Sequence, residues 1–83
     1  MKHAGPEALD GAESLLSRIR AVRGLTERKR GVFYRGSRAF LHFHEDPAGL
    51  YADVRLGPEF VRLRATTQSE RRDLLRSITA ELG

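Results

Sequence analysis

The chain contains no cysteine, and this absence excludes several kinds of chemistry. Without thiols there is no disulfide framework, no thiolate nucleophile and no zinc site built from sulfur ligands. Long apolar runs are missing as well, because no stretch approaches the roughly 20 residues of a membrane-spanning helix. Pro6, Glu7 and Asp10 occupy the region where a signal peptide needs an apolar segment. We therefore expect a cytoplasmic protein without a membrane segment.

The signatures of common enzyme classes are also missing. No serine lies in a nucleophile-elbow motif, and no glycine-rich loop connects a strand to a helix for phosphate binding. No carboxylate pair is placed by spacing alone, and there is no internal repeat or low-complexity tract. We therefore predict a protein that is not an enzyme and uses no cofactor.

The composition is that of a small folded domain. Hydrophobic residues make up 40% of the 83-residue chain and charged residues 31%, as in globular proteins. A chain of this length buries only roughly 60–65% of the surface that it exposes on unfolding, so it builds one core. We expect a single domain over residues 7–82, with a frayed start over residues 1–6.

Two segments have the apolar spacing of amphipathic helices. The first is predicted over residues 7–23, where acidic residues come early, arginines come late and Gly24 can end the helix. Thr67 and Glu70 have the spacing of a capping box and predict a second helix over residues 67–82. The apolar positions are Leu9, Ala12, Leu15, Leu16, Ile19 and Val22 in the first helix, and Leu74, Leu75, Ile78 and Leu82 in the second.

Between the helices the apolar period changes to two, which indicates strands. Turn residues at Gly36-Ser37, Asp46–Gly49 and Gly57-Pro58 divide this segment. The predicted strands are residues 31–35, 38–45, 50–56 and 59–65. The expected fold class is α+β: a two-layer α-β-β-β-β-α domain whose four-stranded antiparallel sheet carries the N- and C-terminal helices on one face.

The turn lengths set the strand pairing and therefore the face of each side chain. The two-residue turn pairs Tyr34 with Ala39 and Val32 with Leu41. The helix-covered face is expected to carry Val32, Tyr34, Ala39, Leu41, Phe43, Leu50, Ala52, Val54, Val61, Leu63 and Ala65. The opposite face, called the open face below, is expected to carry Phe33, Arg35, Arg38, Phe40, His42, His44, Tyr51, Asp53, Arg55, Phe60, Arg62 and Arg64.

The open face combines aromatic rings with arginine, and this combination is typical of a binding surface. Aromatic rings stack on bases, and arginine binds phosphate through paired hydrogen bonds. The net charge of +4 also favours an anionic partner. We therefore predict a binding module for single-stranded nucleic acid or another anion, with Phe33, Arg35, Arg38, Phe40, Tyr51, Arg55, Phe60, Arg62 and Arg64 as ligand-binding residues.

The composition of the open face is equally consistent with packing among its own side chains or with a dimer interface. Arginine stems can cover the aromatic rings through cation–π and cross-strand packing. Alternatively, two copies of the chain can bury these rings in a homodimer, since exposed apolar patches often mark interfaces. The arginine content is ambiguous too. Only Lys2 and Lys29 of the fifteen basic residues are lysine, and compositional bias accounts for this as well as anion recognition does.

Two histidines form the one enzyme-like cluster of the sequence. His42 and His44 lie two apart on a predicted strand and so point the same way, and the predicted register places Asp53 opposite His42. Imidazoles and carboxylates are ligands of zinc and related metals, so these residues are candidate metal ligands. Histidines on a solvated strand are, however, more often ordinary surface residues. The charged run over residues 27–30 is interpreted as a solvated loop.

The central strands resemble a known family. The stretch GVFYRGSRAFLHF over residues 31–43, followed by GLYADVR over residues 49–55, is similar to the first half of the YjbR/MmcQ-like family. The likeness spans about residues 15–56. It implies a frataxin-like α+β sandwich and a role in DNA binding, which in that family is suggested mainly by fold. It implies no catalytic residues.

Overall fold

The computed structural model describes all 83 residues and confirms an α+β fold with an antiparallel sheet and helices at both ends. None of its three helices is long and apolar enough to cross a membrane. In chain order the elements are β1 (Lys2–His3), α1 (Pro6–Asp10), α2 (Glu13–Arg20), β2 (Thr26–Lys29), β3 (Val32–Arg35), β4 (Arg38–Asp46), β5 (Gly49–Leu56), β6 (Glu59–Arg64) and α3 (Gln68–Leu82).

The sheet has six strands, not the four that were predicted. Strands β2 to β6 lie side by side in chain order, and β1 pairs with β4. β1 contacts β4 at His44 and Glu45, just beyond His42, where the pairing of β4 with β3 ends. The two additional strands come from the start expected to be frayed and from the charged run expected to be a loop. Neither has an alternating apolar pattern, so only backbone pairing reveals them.

The first helical segment is divided in two. α1 and α2 are separated by Gly11 and Ala12, and α2 ends at Arg20, four residues before Gly24. The prediction of one continuous helix over residues 7–23 is therefore wrong. Glycine inside a helix costs about 1 kcal/mol relative to alanine, and the helix is interrupted at that position. The predicted apolar stripe is still buried at Leu9, Ala12, Leu15, Leu16 and Ile19.

The C-terminal helix agrees with its sequence signature. Thr67 is the N-cap of α3, and its hydroxyl accepts a hydrogen bond of 3.1 Å from the backbone N–H of Glu70. The Glu70 carboxylate in turn accepts one of 2.9 Å from the backbone N–H of Thr67. The capping box is thus confirmed, and Leu74 and Ile78 are buried on the predicted apolar face.

The pairing of β3 with β4 contains an irregularity that changes the predicted faces. Tyr34 pairs with Ala39 as predicted, but Phe33 pairs with Leu41, so Phe40 has no partner on β3. Such a β-bulge places two residues of one strand opposite one residue of the other. Phe40 and Leu41 are accordingly both buried, although they are consecutive in the strand.

The bulge corrects four predicted positions. Phe33 and Phe40, expected on the open face, lie in the core with exposures of 1% and 2%. Val32 and Tyr34, expected in the core, are only half-buried, and Val32 pairs with His42 rather than Leu41. Beyond the bulge the predicted pairs are confirmed: Leu41 with Val54, Phe43 with Ala52, Val54 with Val61, and Ala52 with Leu63.

The helices and the sheet share one core. Its fifteen buried residues come from α1, α2, α3, the central strands and the segment after β6. Most residues of the edge strand β6 are exposed, including Val61, which was expected in the core. The buried positions of β5 alternate, with Leu50, Ala52 and Val54 inside. The side chains between them therefore point to the opposite face, where the candidate site lies.

Candidate functional site: a histidine–aspartate cluster

Pairing of the two longest strands brings the candidate metal ligands together. His42 and His44 lie on β4, and Asp53 on β5 is the direct cross-strand partner of His42. All three are on the same face, because positions two apart in a strand point the same way. The sequence prediction of this juxtaposition is confirmed, and the ligand atoms of the three residues lie within 4.8 Å of one another.

One oxygen of Asp53 lies between the two imidazoles. Asp53 Oδ2 is 3.1 Å from His44 Nε2 and 3.4 Å from His42 Nε2. The cluster is partly shielded from water, with side-chain exposures of 26% for His42, 13% for His44 and 14% for Asp53. Three donor atoms thus converge on one sheltered point of the sheet surface.

The Asp53 carboxylate is oriented by an arginine of the neighbouring strand. Arg62 on β6 donates from Nε to Oδ1 at 2.7 Å and from Nη2 to Oδ2 at 2.9 Å. These charge-assisted hydrogen bonds hold the pKa of Asp53 below its ordinary value, against the opposing effect of burial. Asp53 is therefore ionised at neutral pH, and its position is fixed from one side.

The histidines have lost part of their contact with water. Burial lowers the pKa of His42, although the nearby Asp53 carboxylate acts in the opposite direction. His44 Nε2 is close to Asp53 Oδ2, but the geometry is not that of a hydrogen bond, and this buried nitrogen has no hydrogen-bond partner. Buried polar atoms are normally satisfied. The imidazole nitrogen of His44 therefore has no hydrogen bond that would have to break before its lone pair could bind a metal ion.

A third histidine, which the sequence analysis did not include, lies beside the cluster. β1 places His3 opposite His44, and the two rings are stacked with centroids 4.8 Å apart. The ring of His3 is 5.9 Å from that of His42. The sequence has no signal for this neighbour, because a two-residue strand has no readable period.

Phe60 borders the cluster on the side of β6. Its ring lies edge-on to His42 with centroids 5.6 Å apart, and the guanidinium of Arg55 stacks over it at 4.4 Å. Arg55 also donates to the backbone carbonyl of Ala39 at 3.1 Å. Phe60 is thus held in place by its neighbours, as expected for cation–π packing on an exposed sheet surface.

Several arginines that were predicted to bind an anion instead have partners within the protein. Arg62 is paired with Asp53. Arg64 donates to the Tyr51 hydroxyl and to a backbone carbonyl, both at 2.9 Å, and forms an ion pair of 3.2 Å with Glu70. With Phe33 and Phe40 in the core, the aromatic and cationic surface is smaller than predicted.

Arg35 and Arg38 of the predicted surface have no acidic partner in hydrogen-bond or ion-pair range. Both are exposed, and they face each other directly across the turn at Gly36-Ser37. With Arg55 they line a cavity of about 100 Å³, which Glu81 of α3 also borders. Like charges in direct cross-strand positions are unfavourable, and neither Arg35 nor Arg38 forms an ion pair that would offset this repulsion.

No model of a known protein family matches the chain, and neither does any curated protein or solved structure. The resemblance of the central strands to the YjbR/MmcQ-like family therefore stays a prediction. Two surfaces of the molecule have chemistry that suits a ligand, the histidine–aspartate cluster and the arginine pair.

Proposed function

We propose that this protein binds a divalent transition-metal ion, with zinc as the first candidate, through His42 Nε2, His44 Nε2 and Asp53 Oδ2. The observation that carries the proposal is the convergence of these three atoms around one point. The proposal includes the two-layer arrangement in which the helices cover only the other face of the sheet. The cluster is then open to an ion from solvent.

The spacing of the donor atoms suits tetrahedral zinc. Zinc lies about 2.0–2.2 Å from nitrogen and carboxylate ligands, so two ligands of one tetrahedral ion are about 3.4 Å apart. The distances from Asp53 Oδ2 to the two imidazole nitrogens are 3.1 and 3.4 Å. An ion can thus be accommodated by small side-chain movements, with the backbone of β4 and β5 unchanged.

The protonation states of the donors also suit a metal. A metal ligand has to offer a free electron pair, so the imidazoles must be neutral and the carboxylate ionised. The lowered pKa values favour a neutral His42 imidazole and an ionised Asp53 carboxylate at neutral pH. Two imidazoles and one carboxylate favour zinc, nickel or copper over magnesium or calcium, which prefer oxygen ligands.

Arg62 would act as an outer-sphere partner of this site. It holds Asp53 Oδ1 at 2.7 Å, and a carboxylate has enough lone pairs for Oδ2 to bind a metal while hydrogen bonds persist. Hydrogen bonds to ligating carboxylates commonly orient metal ligands. The positive charge of Arg62 opposes an incoming cation, and we expect it to moderate the affinity.

The proposal is tested by titrating the metal-free protein with zinc chloride at pH 7.5 in a calorimeter, while the histidine ring resonances are followed by NMR. We expect one ion per chain and shifts of the His42 and His44 rings. His42→Ala and Asp53→Asn should abolish binding. Asp73→Asn is the matched control, because Asp73 is an exposed carboxylate on α3 that pairs with Arg76.

Two outcomes of these zinc titrations would contradict the metal site. If stoichiometric zinc leaves the ring resonances of His42 and His44 unmoved, the cluster is a packed surface patch without affinity for metal. The same conclusion follows if Asp53→Asn binds zinc as tightly as the unchanged protein does.

Anion binding is a second candidate function, restricted to one end of the sheet. It is favoured by Arg35 and Arg38, which lie opposite each other at the end of the β3–β4 hairpin and have no acidic partner. Phosphate groups of single-stranded nucleic acid fit this chemistry, since paired arginines bind phosphate through several hydrogen bonds. Affinity for such a ligand falls steeply with salt, because binding releases counterions.

This second function is tested with a mixed-sequence single-stranded oligonucleotide at two salt concentrations. Arg38→Gln should weaken binding, whereas Arg18→Gln, which changes an exposed arginine of α2, should not. Equal losses in both variants would show that only net charge matters. Binding that does not depend on salt would exclude the phosphate contacts altogether.

A further inference from the structure

We propose that His3 is a fourth ligand of the same ion, so that the metal links the N-terminal strand β1 to the sheet. This inference depends on the proposed function, because it concerns the coordination of that ion. Its basis is the register of β1, which places His3 directly opposite His44.

The position of the His3 ring is suited to this role. It is stacked on the ring of His44 at 4.8 Å between centroids and lies 5.9 Å from the ring of His42. His3 is an exposed residue, so one side of its ring faces solvent rather than the core. Two imidazoles and Asp53 already converge on one point, and the His3 ring lies next to them, so ligation by His3 needs a rotation of its ring toward that point.

A bond from His3 to the metal would strengthen the attachment of β1 to the sheet. β1 has only two residues, and the chain that follows is tied to β4 by a hydrogen bond of 3.0 Å from Ala4 N to Phe43 O. Gly5 N adds a hydrogen bond of 2.6 Å to the Glu45 carboxylate. A segment held by so few contacts opens easily. A bond from His3 to a metal would close it against β4.

The number of protein ligands also determines the kind of site. Zinc ions that serve a structural purpose are usually held by four protein ligands, whereas catalytic zinc keeps one position for water or substrate. Ligation by His3, His42, His44 and Asp53 would fill all four positions. The ion would then stabilise the fold and attach β1, without a vacant position for a reaction.

The test compares His3→Ala with Lys2→Ala, a change of the neighbouring β1 residue whose side chain has no proposed role. Zinc affinity is measured on the full chain by competition with a chromogenic chelator. We expect His3→Ala to weaken binding on the order of 10-fold or more, since loss of outer-sphere partners alone costs 10–100-fold. Lys2→Ala should bind as the unchanged protein does.

Two further measurements separate ligation from a general effect on folding. Hydrogen exchange at the amide of Ala4 should slow when zinc is added to the unchanged protein, but not when it is added to His3→Ala. Cobalt(II) in place of zinc should show the strong visible absorption of four-coordinate geometry, and His3→Ala should change that spectrum.

The possible failures are distinguishable. Equal zinc affinity and equal Ala4 protection in His3→Ala and the unchanged protein would overturn the role of His3 and leave the three-ligand site intact. Absence of zinc binding in the unchanged protein, or undiminished binding in His42→Ala, would overturn the metal site and the role of His3 together.

Discussion

Asp53 shows how one side chain can connect three strands. Its two oxygens lie close to Arg62 of β6 and to His42 and His44 of β4. These neighbours compete for one carboxylate, and His44 Nε2 has no hydrogen bond. A divalent ion would resolve this competition, since it can contact both imidazoles and Oδ2 at the same time.

The pKa of His42 predicts a pH dependence of stability in the metal-free protein. Burial lowers this pKa in the folded state, with Asp53 opposing and His44, His3 and Arg62 adding to the effect. Between the lowered pKa and the unfolded value of about 6.5, the unfolded chain binds more protons. Protonation of His42 therefore favours unfolding, and stability falls as the pH drops below about 6.5.

Urea unfolding at pH 7.5 and at pH 5 measures this effect. We expect the loss of stability between the two pH values to be smaller in His42→Gln, whose side chain does not titrate. The lowered pKa of Asp53 acts only in a separate window below about 3.8, so it does not interfere. An identical loss in both proteins would contradict the role of His42.

Phe40 and Phe60 should respond very differently to truncation. Phe40 is 2% exposed and Phe60 is 39% exposed. We expect Phe40→Ala to lower the free energy of unfolding by about 3–5 kcal/mol, because it empties a filled site in the core. Phe60→Ala should cost at most about 1 kcal/mol, mainly through lost contact with Arg55. Urea unfolding of both variants measures the difference, and equal losses would contradict the bulge at Phe40.

At the scale of elements, the turn between β4 and β5 depends on Gly49. Its φ is +142°, and an added Cβ would collide with the hydroxyl of Thr66. That hydroxyl accepts a hydrogen bond of 2.9 Å from Leu50 N and donates one of 3.0 Å to Leu50 O. A side chain at position 49 would therefore disturb the link between the turn and the end of β6.

Gly57→Ala is the matched control for Gly49→Ala. Gly57 also has a positive φ, of +68°, but nothing lies near its added Cβ. We expect Gly57→Ala to cost about 1–2 kcal/mol for the left-handed backbone alone. Gly49→Ala should cost about 1–3 kcal/mol more, because of the collision and because a φ of +142° lies outside the left-handed region that alanine can adopt. Thermal or urea unfolding compares the two, and equal costs would show that Thr66 moves aside freely.

The predicted strand register is correct away from the β-bulge and wrong beside it. Where turns and alternation agreed, as for His42 with Asp53 or Val54 with Val61, the register was predicted correctly. In β3 every residue from Val32 to Tyr34 is apolar or aromatic, so alternation could not decide which ones face the core. The bulge next to Phe40 determined which residues face the core, and two of the aromatic rings predicted on the open face are therefore buried.

At the scale of the whole molecule, the homodimer hypothesis stays a prediction, and it now concerns a smaller surface. The exposed large hydrophobic residues are Met1, Phe60 and Val61, and the last two are neighbours on the edge strand β6. Edge strands present unpaired backbone groups that can join another sheet. Phe40, buried in the core, is not part of this surface.

Sedimentation at a series of concentrations tests for self-association. If copies associate through β6, the apparent mass should increase with concentration, and Phe60→Asp should restore the monomer. Lys29→Asp, a charge change on the opposite edge strand β2, is the control and should leave the mass unchanged. A monomer at every concentration would end this hypothesis.

The sequence by itself determined the α+β class, the capped C-terminal helix and the proximity of His42, His44 and Asp53. These features follow from local periodicity, turn length and cap chemistry, which act over a few residues. Tertiary structure alone decided that β1 and β2 join the sheet, that Phe33 and Phe40 are buried, and that His3 lies beside the cluster. These features depend on backbone pairing and on an irregularity in the β3–β4 hairpin, and neither leaves a periodic trace in the side chains.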